Sequence, residues 1–312
     1  MSTTSRTATS RTAAFRSAVV RTPGGPDSIE IIDVPVAEPG PGQVRVAVAG
    51  AAVNPVDLAL AAGVFHGMGL ISQPEHTGLG WDFSGTVTAA GPGADLAAGS
   101  RVAGLVTGFD RDYGTYAEQL VVAADDVAVV PEGLDLVAAA TVPLNGLAAA
   151  QAVDLLGAGE GRNLLVTGAA GALGSYAAVL AQERGWRVTG LARAGDEKFV
   201  RGLGAGFTTE ATPGWDAVVD GAALQDQAAA LVRDGGVFVG VRPNAAPPAG
   251  RGVSVRAVEV RADGARLAGL LDAAASGRLP ARVHAVLPLD EAATAHREVA
   301  KGGVRGKYVL RP

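Results

Sequence analysis

Short β-branched runs punctuated by Gly and Pro fill the chain from Ser17 to about Pro131, among them Val44-Arg45-Val46-Ala47-Val48 and Glu118-Gln119-Leu120-Val121-Val122. Apolar and polar positions alternate there, with turn residues at close spacing, which predicts a β-rich unit of short strands, a small barrel. From Leu136 to about Arg282 the texture changes to apolar strands alternating with Ala- and Leu-rich helical stretches. Strands are expected at 163–167, 186–191, 217–220 and 237–241, with helices at 172–184, 197–203 and 224–233. That alternation is the pattern of a parallel sheet covered on both faces. Strand character returns at 283–287, a short helix is expected at 290–300, and Gly306-Lys307-Tyr308-Val309-Leu310 reads as a last strand.

The expected fold is therefore α/β, with a doubly wound parallel sheet inserted in a β-rich domain. Length agrees, because 312 residues exceed one ordinary core of about 100–200 residues. The expected boundaries are 17–135 with 279–312 for the β-rich domain, and 136–278 for the inserted one. Residues 1–16 are mostly Ser, Thr, Arg and Ala, lack the apolar run of a signal peptide, and are expected to form a disordered extension.

A net charge of −5, from 26 basic and 31 acidic side chains spread along the chain, offers no sustained positive field for a phosphate backbone, so nucleic acid is not an expected partner. No window reaches the roughly 18 uninterrupted apolar residues of a membrane span, and a cytoplasmic location is expected. The absence of cysteine excludes disulfides, thiolate nucleophiles, iron–sulfur clusters and cysteine-ligated zinc.

The most informative stretch runs Leu164-Leu165-Val166-Thr167-Gly168-Ala169-Ala170-Gly171-Ala172-Leu173-Gly174. An apolar strand enters a turn of small residues, and a helix follows with Leu173, Tyr176, Ala177, Leu180 and Ala181 on one face. Small residues let backbone approach an anion, and a helix N-terminus supplies free N–H groups, so residues 167–174 are expected to hold a dinucleotide pyrophosphate. Ala169 stands where the G-x-G-x-x-G pattern has a glycine, while Gly171 and Gly174 keep theirs. Dinucleotide sites that select NAD carry an Asp or Glu about 20 residues past the turn. Here Arg187-Val188-Thr189-Gly190-Leu191 leads into Ala192-Arg193. A guanidinium suits a 2′-phosphate, so NADPH is favoured over NADH. Lys198 is either a second ligand of that phosphate or a solvated helix charge, and Asp196 and Glu197 lie close to both.

These motifs resemble the medium-chain dehydrogenase/reductase superfamily, in its zinc-free quinone oxidoreductase branch, the zeta-crystallin-like enzymes. Asn54-Pro55-Val56-Asp57 with Gly63, then Gly80-Trp81-Asp82-Phe83-Ser84-Gly85-Thr86-Val87, are similar to its first signatures. Gly114-Thr115-Tyr116-Ala117-Glu118, the phosphate turn, and Arg305-Gly306-Lys307-Tyr308-Val309-Leu310 are similar to the later ones. The resemblance implies a GroES-like catalytic domain built from both chain ends, a Rossmann domain between them, an active site in the cleft, and a homodimer paired through a sheet edge at 237–241 or its neighbours.

Zinc-dependent relatives place a Cys three residues before an Asp, and a Gly-His-Glu; here Asn54 precedes Asp57 and Gly80-Trp81-Asp82 replaces the second motif. The resemblance thus implies chemistry without a Lewis acid: hydride transfer from NADPH to a quinone or an enone, whose negative charge spreads onto an oxygen that hydrogen bonds can stabilise. Asn54 is expected to orient the substrate carbonyl with its amide N–H, and Asp57 to buttress its loop. Phe65, where many relatives have a tyrosine, cannot donate a proton, which leans the choice toward quinones or solvent-protonated substrates. His66 and His76 read as polar loop residues, and Tyr116 as part of a packing motif. Two other readings stay open: an enoyl-thioester or polyketide-tailoring reductase, and a non-catalytic NADPH-binding sensor.

Overall fold

The computed structural model describes residues 14–312. Eight strands and two short helices precede residue 130: β1 (Ala14–Val20), β2 (Ile29–Pro35), β3 (Gln43–Ala52), α1 (Pro55–Ala61), α2 (Val64–Gly67), β4 (Thr77–Gly78), β5 (Asp82–Ala90), β6 (Arg101–Leu105), β7 (Gln119–Ala123) and β8 (Val127–Val129). Alternation is plain in β3, where Val44, Val46 and Val48 are buried between half-buried neighbours. Apolar side chains from β3, β5 and β6 close over a core containing Phe83, Leu79, Val102 and Tyr116.

The chain is ordered earlier than its composition implies. β1 pairs with β2 from Ala14↔Pro35 onward. Phe15 is buried with Val34 and Ala117, and the backbone N–H and Nε of Arg16 donate to Glu118 at 2.8 and 2.9 Å. Residues 14–16, expected in the disordered extension, are therefore strand, fixed by partners far along the chain. The remainder of that expected extension lies outside the described residues.

Between the halves of this unit stand α3 (Leu136–Ala139), α4 (Pro143–Leu156), β9 (Asn163–Thr167), α5 (Ala172–Glu183), β10 (Arg187–Leu191), α6 (Glu197–Gly202), β11 (Gly206–Thr208), β12 (Trp215–Asp220), α7 (Asp226–Ala229), β13 (Val232–Gly240), β14 (Ser254–Ala257) and α8 (Gly264–Ala275). Six of the strands pair in parallel in the order β11-β10-β9-β12-β13-β14. Counted from β9, this is the 3-2-1-4-5-6 order of a dinucleotide-binding sheet, whose ligand crevice lies past the strand ends at the switch between β9 and β12. The chain finishes with β15 (Val283–Pro288), α9 (Ala292–Ala300) and β16 (Lys307–Arg311); β16 pairs with β3 and so returns the tail to the first sheet.

Two sequence expectations are corrected here. The helix expected at 224–233 is a single turn, Asp226–Ala229. Val232 is fully buried and pairs with Trp215, so strand pairing claims the residues that Ala-rich composition had assigned to helix. Of the edge expected at 237–241 or its neighbours, the stretch 237–241 itself is interior, because β13 lies between β12 and β14; the edge on that side is its neighbour β14.

Candidate active site

The turn after β9 is shaped for close backbone approach. Gly168 adopts φ 61°, in the left-handed region, and its carbonyl accepts the N–H of Gly171 at 2.8 Å. A Cβ added to Gly174 would lie 2.3 Å from the Gly168 oxygen. The alanine in the first glycine position is accommodated from the next strand: Ala169 is fully buried, and a Cβ on Gly190 would come 2.6 Å from the Ala169 methyl. α5 begins at Ala172, and the N–H groups of its first turn, from Ala172, Leu173 and Gly174, have no acceptors one helical turn back. Ala170 is buried, and its carbonyl accepts a hydrogen bond from the Arg282 guanidinium. Thr167 serves the frame: its hydroxyl donates to Asp220 Oδ1 at 2.6 Å and accepts from the Ala222 N–H at 3.1 Å, tying together the loops after β9 and β12.

At the end of β10, Arg193 and Lys198 are exposed, and neither has an ion-pair partner among the described residues. The neighbouring acids are neutralised. Glu197 accepts from Arg201 at 2.8 Å, and Asp196 takes a bidentate pair from Arg305.

The other half of the site is a buried polar cluster at the start of α1. Asp57 Oδ2 accepts the Asn54 N–H at 2.8 Å, while the Asp57 N–H donates to the Asn54 backbone carbonyl at 3.0 Å. The Asn54 amide faces inward: Nδ2 donates to Asp82 Oδ2 at 2.7 Å and to the Ala52 carbonyl at 3.2 Å, while Oδ1 accepts from Asn145 Nδ2 at 3.0 Å and from Lys307 Nζ. An ammonium can only donate, which fixes the orientation of the amide. Both amide hydrogens are committed to the protein, so in this arrangement Asn54 positions Lys307 and Asp82 and has no N–H left for a substrate carbonyl. Tyr116, fully buried, donates to Asp57 Oδ2 at 3.1 Å and lies 3.3 Å from Nε2 of the equally buried His296.

Burial drives these groups toward their neutral forms. Desolvation lifts Asp57 to about 6 and Asp82 to about 7, lowers Lys307 below the usual lysine range, and lowers His296 to about 4. The linkage signs follow. A carboxyl whose folded value is raised contributes most below its unfolded value near 3.8 and loses that contribution as pH rises through 6 to 7. The depressed imidazole does the reverse, losing its contribution as pH falls from 6.5 toward 4. Two carboxyls outweigh one imidazole, so the melting temperature should fall from pH 5 to pH 8, and Asp82→Asn should flatten that fall. A melting series in both proteins checks this; equal slopes would remove Asp82 as a cause.

Beside the cluster lies an aromatic wall. Phe65, on α2, stacks on Phe109 with centroids 3.9 Å apart and planes at 25°; Phe109 sits 5.4 Å from Trp81. Arg111 caps Trp81 at 5.3 Å, and desolvation lowers its guanidinium to about 10. His66 stands 3.3 Å from the Thr77 hydroxyl and His76 packs against Tyr113. Sequence reasoning did not identify Asn145, Asp82, Lys307 or Phe109 as members of the site. Asp82 and Lys307 stand inside recognised motifs, but nothing local marks them as partners of Asn54.

Comparisons with known proteins agree with the fold. The family described as "Alcohol dehydrogenase GroES-like domain" matches residues 40–132, and the one described as "Zinc-binding dehydrogenase" matches 196–310. The structure superposes on the quinone oxidoreductase of Coxiella burnetii with a TM-score of 0.84 at 26% identity, covering 96% of this chain and 100% of that one. An NAD-dependent alcohol dehydrogenase is 30% identical with a TM-score of 0.82, covering 95% of this chain and 99% of the other. In sequence, the pikromycin polyketide synthase component PikAII of Streptomyces venezuelae is 38% identical over 167 residues, 53% of this chain. The chloroplastic quinone-oxidoreductase homolog of Spinacia oleracea is 30% identical over 187 residues, 58% of this chain. The matched regions span 4% and 56% of those two proteins. With its dinucleotide-type sheet, its GroES-like domain and these relatives, quinone oxidoreductases among them, the chain belongs to the medium-chain dehydrogenase/reductase family.

Proposed function

We propose that this protein is an NADPH-dependent reductase that delivers hydride to a quinone or to the activated C=C of an enone, without a metal. One observation carries the reading: where zinc-dependent relatives offer donor side chains, this chain places Asn54, Trp81 and Asp82, with the Lys307 ammonium bonded to the same Asn54 amide. Neither thiolate nor imidazole is offered, and a resident ammonium opposes a second cation, so the residues do not fit zinc. Among the described residues no group of three His, Cys, Asp or Glu could hold a metal ion.

The residues do fit a nicotinamide dinucleotide. The turn from Gly168 to Gly174 and the first N–H groups of α5 would hold the pyrophosphate, and Arg193 with Lys198 would hold the 2′-phosphate. When bound, the coenzyme supplies hydride. Phe65, Phe109 and Trp81 form an apolar, flat-sided wall that suits a planar acceptor. Asn54, Asp57 and Lys307 act one step back, holding a rigid floor under that wall. Phe65 offers no proton, so the reduced oxygen is protonated from solvent, which a quinone tolerates.

Metal-depleted protein should consume NADPH across a panel of quinones and cyclic enones, with NADH much poorer. Absence of turnover on every member would contradict the reading. Arg193→Ala should weaken NADPH about 10- to 100-fold, the value of a charged hydrogen bond of about 1.5–3 kcal/mol, and leave NADH unchanged; calorimetric titration of both coenzymes checks it.

The match to a polyketide synthase component supports a second reading, reduction of an enoyl thioester. Faster turnover of an enoyl-pantetheine thioester than of any quinone would favour it.

A further inference from the structure

Two acids stand three and four residues past Arg193, at the sheet end where a free carboxylate favours a ribose 2′-hydroxyl and repels a 2′-phosphate. Glu197 is taken by Arg201, four residues on in the same chain segment. Asp196 is held from 109 residues away. Nε and Nη2 of Arg305 donate to its two oxygens, while Nη1 donates to the Gly303 carbonyl at 2.9 Å. The Asp196 side chain is 10% exposed and that of Arg305 37%, so the acid is covered and the guanidinium keeps an open face.

The loop carrying Arg305 leads into β16 of the first sheet, and it lies directly against the end of β10. A Cβ added to Gly303 would come 3.2 Å from Nη1 of Arg193. Arg282, at the start of the same C-terminal segment, stacks its guanidinium 3.8 Å over Phe199 and donates to the Ala170 carbonyl in the phosphate turn. Three guanidinium groups, Arg193 of the inserted domain and Arg282 and Arg305 of the C-terminal segment, thus border the place where the adenosine phosphates would lie.

We propose that Arg305 is a coenzyme-specificity residue: it masks both oxygens of Asp196, the carboxylate that would otherwise select a dinucleotide without the extra phosphate, and it completes from the C-terminal loop the cationic wall begun by Arg193. The proposal rests on the NADPH reading above. A planar fork is needed, because a lysine at this position would leave one Asp196 oxygen free. Coenzyme choice is then set jointly by the two domains, with Arg305 as a positioning and recognition group for the 2′-phosphate.

The half-coenzymes 2′,5′-ADP and 5′-ADP test this without turnover, by calorimetry on the full chain. The wild type should bind 2′,5′-ADP more tightly. Arg305→Ala should weaken 2′,5′-ADP at least tenfold and leave 5′-ADP equal or tighter, and Asp196→Asn added to it should recover part of the lost ratio. An unchanged ratio in Arg305→Ala, or no recovery in the double variant, would overturn the proposal. Should Arg305→Ala not fold, Arg305→Gln and Arg305→Lys read by the same two ligands decide it, both with a lowered ratio expected. A wild type that binds the two half-coenzymes equally would defeat the NADPH reading itself, a result distinct from a failed Arg305 variant.

Discussion

Gly174→Val should reduce NADPH affinity at least 100-fold and abolish turnover. The added Cβ would meet the Gly168 oxygen at 2.3 Å, the Gly168 carbonyl carbon at 2.7 Å and the Ala169 Cα at 3.0 Å. All three are backbone atoms of the turn, so no flexible side chain can yield, and the turn itself must move away from the pyrophosphate position. Overpacking of this kind costs about 1–3 kcal/mol in stability, so the protein should still fold, melting a few degrees lower. Gly202→Ala is the matched control: among the described residues nothing lies within 4 Å of its added Cβ, it closes α6, and neither stability nor affinity should fall. Calorimetry with NADPH and thermal melts on both variants separate a damaged turn from general instability. Retention of wild-type affinity in Gly174→Val would move the coenzyme away from this turn.

Lys307→Met should destabilise the protein by about 3–5 kcal/mol, the range for removing one partner of a buried charged cluster. Lys307 is buried, its ammonium is a hydrogen-bond donor to Asn54 Oδ1, and its charge opposes the desolvation of Asp82 and Asp57. Without it, Asn54 keeps Asn145 as a donor, but Asp82 loses its cation and Asp57 keeps only Arg111, so both carboxyls shift further toward the protonated form. The alkaline loss of stability should therefore steepen. Adding Asp82→Leu should return part of the loss, since an apolar replacement of both partners leaves no orphaned charge. Denaturant melts at pH 6 and pH 8 on the single and double variants check this; a single variant as stable as wild type would remove Lys307 from the structural core of the site.

Features carried by contiguous residues were legible in the chain. β9, the small-residue turn and α5 follow one another within 163–183, and the bounds expected for that strand agree with those observed. The absence of an acid directly after β10 was likewise visible, and Arg193 stands exposed there. Features made by distant pairs were not. Asn54 and Lys307 are 253 residues apart, and Asp196 and Arg305 109 apart, so neither pair leaves a local pattern. That is why Asn54 read as a substrate-facing amide, whereas its hydrogens are spent on Asp82 and Ala52. Phe65 was marked only for the hydroxyl it lacks, and its stacking on Phe109 depends on a loop more than forty residues on. Strand pairing likewise overrode composition at Ala14 and Val232, where a buried partner outweighs a weak local preference.

A single-turnover experiment tests the metal-free NADPH chemistry most directly. Metal-depleted protein carrying one equivalent of NADPH is mixed with an excess of quinone while the reduced-coenzyme absorbance is followed. Complete loss of that absorbance, at a rate indifferent to chelator, is the predicted result. A bound coenzyme that stays reduced, or one oxidised only after zinc is added back, would contradict it.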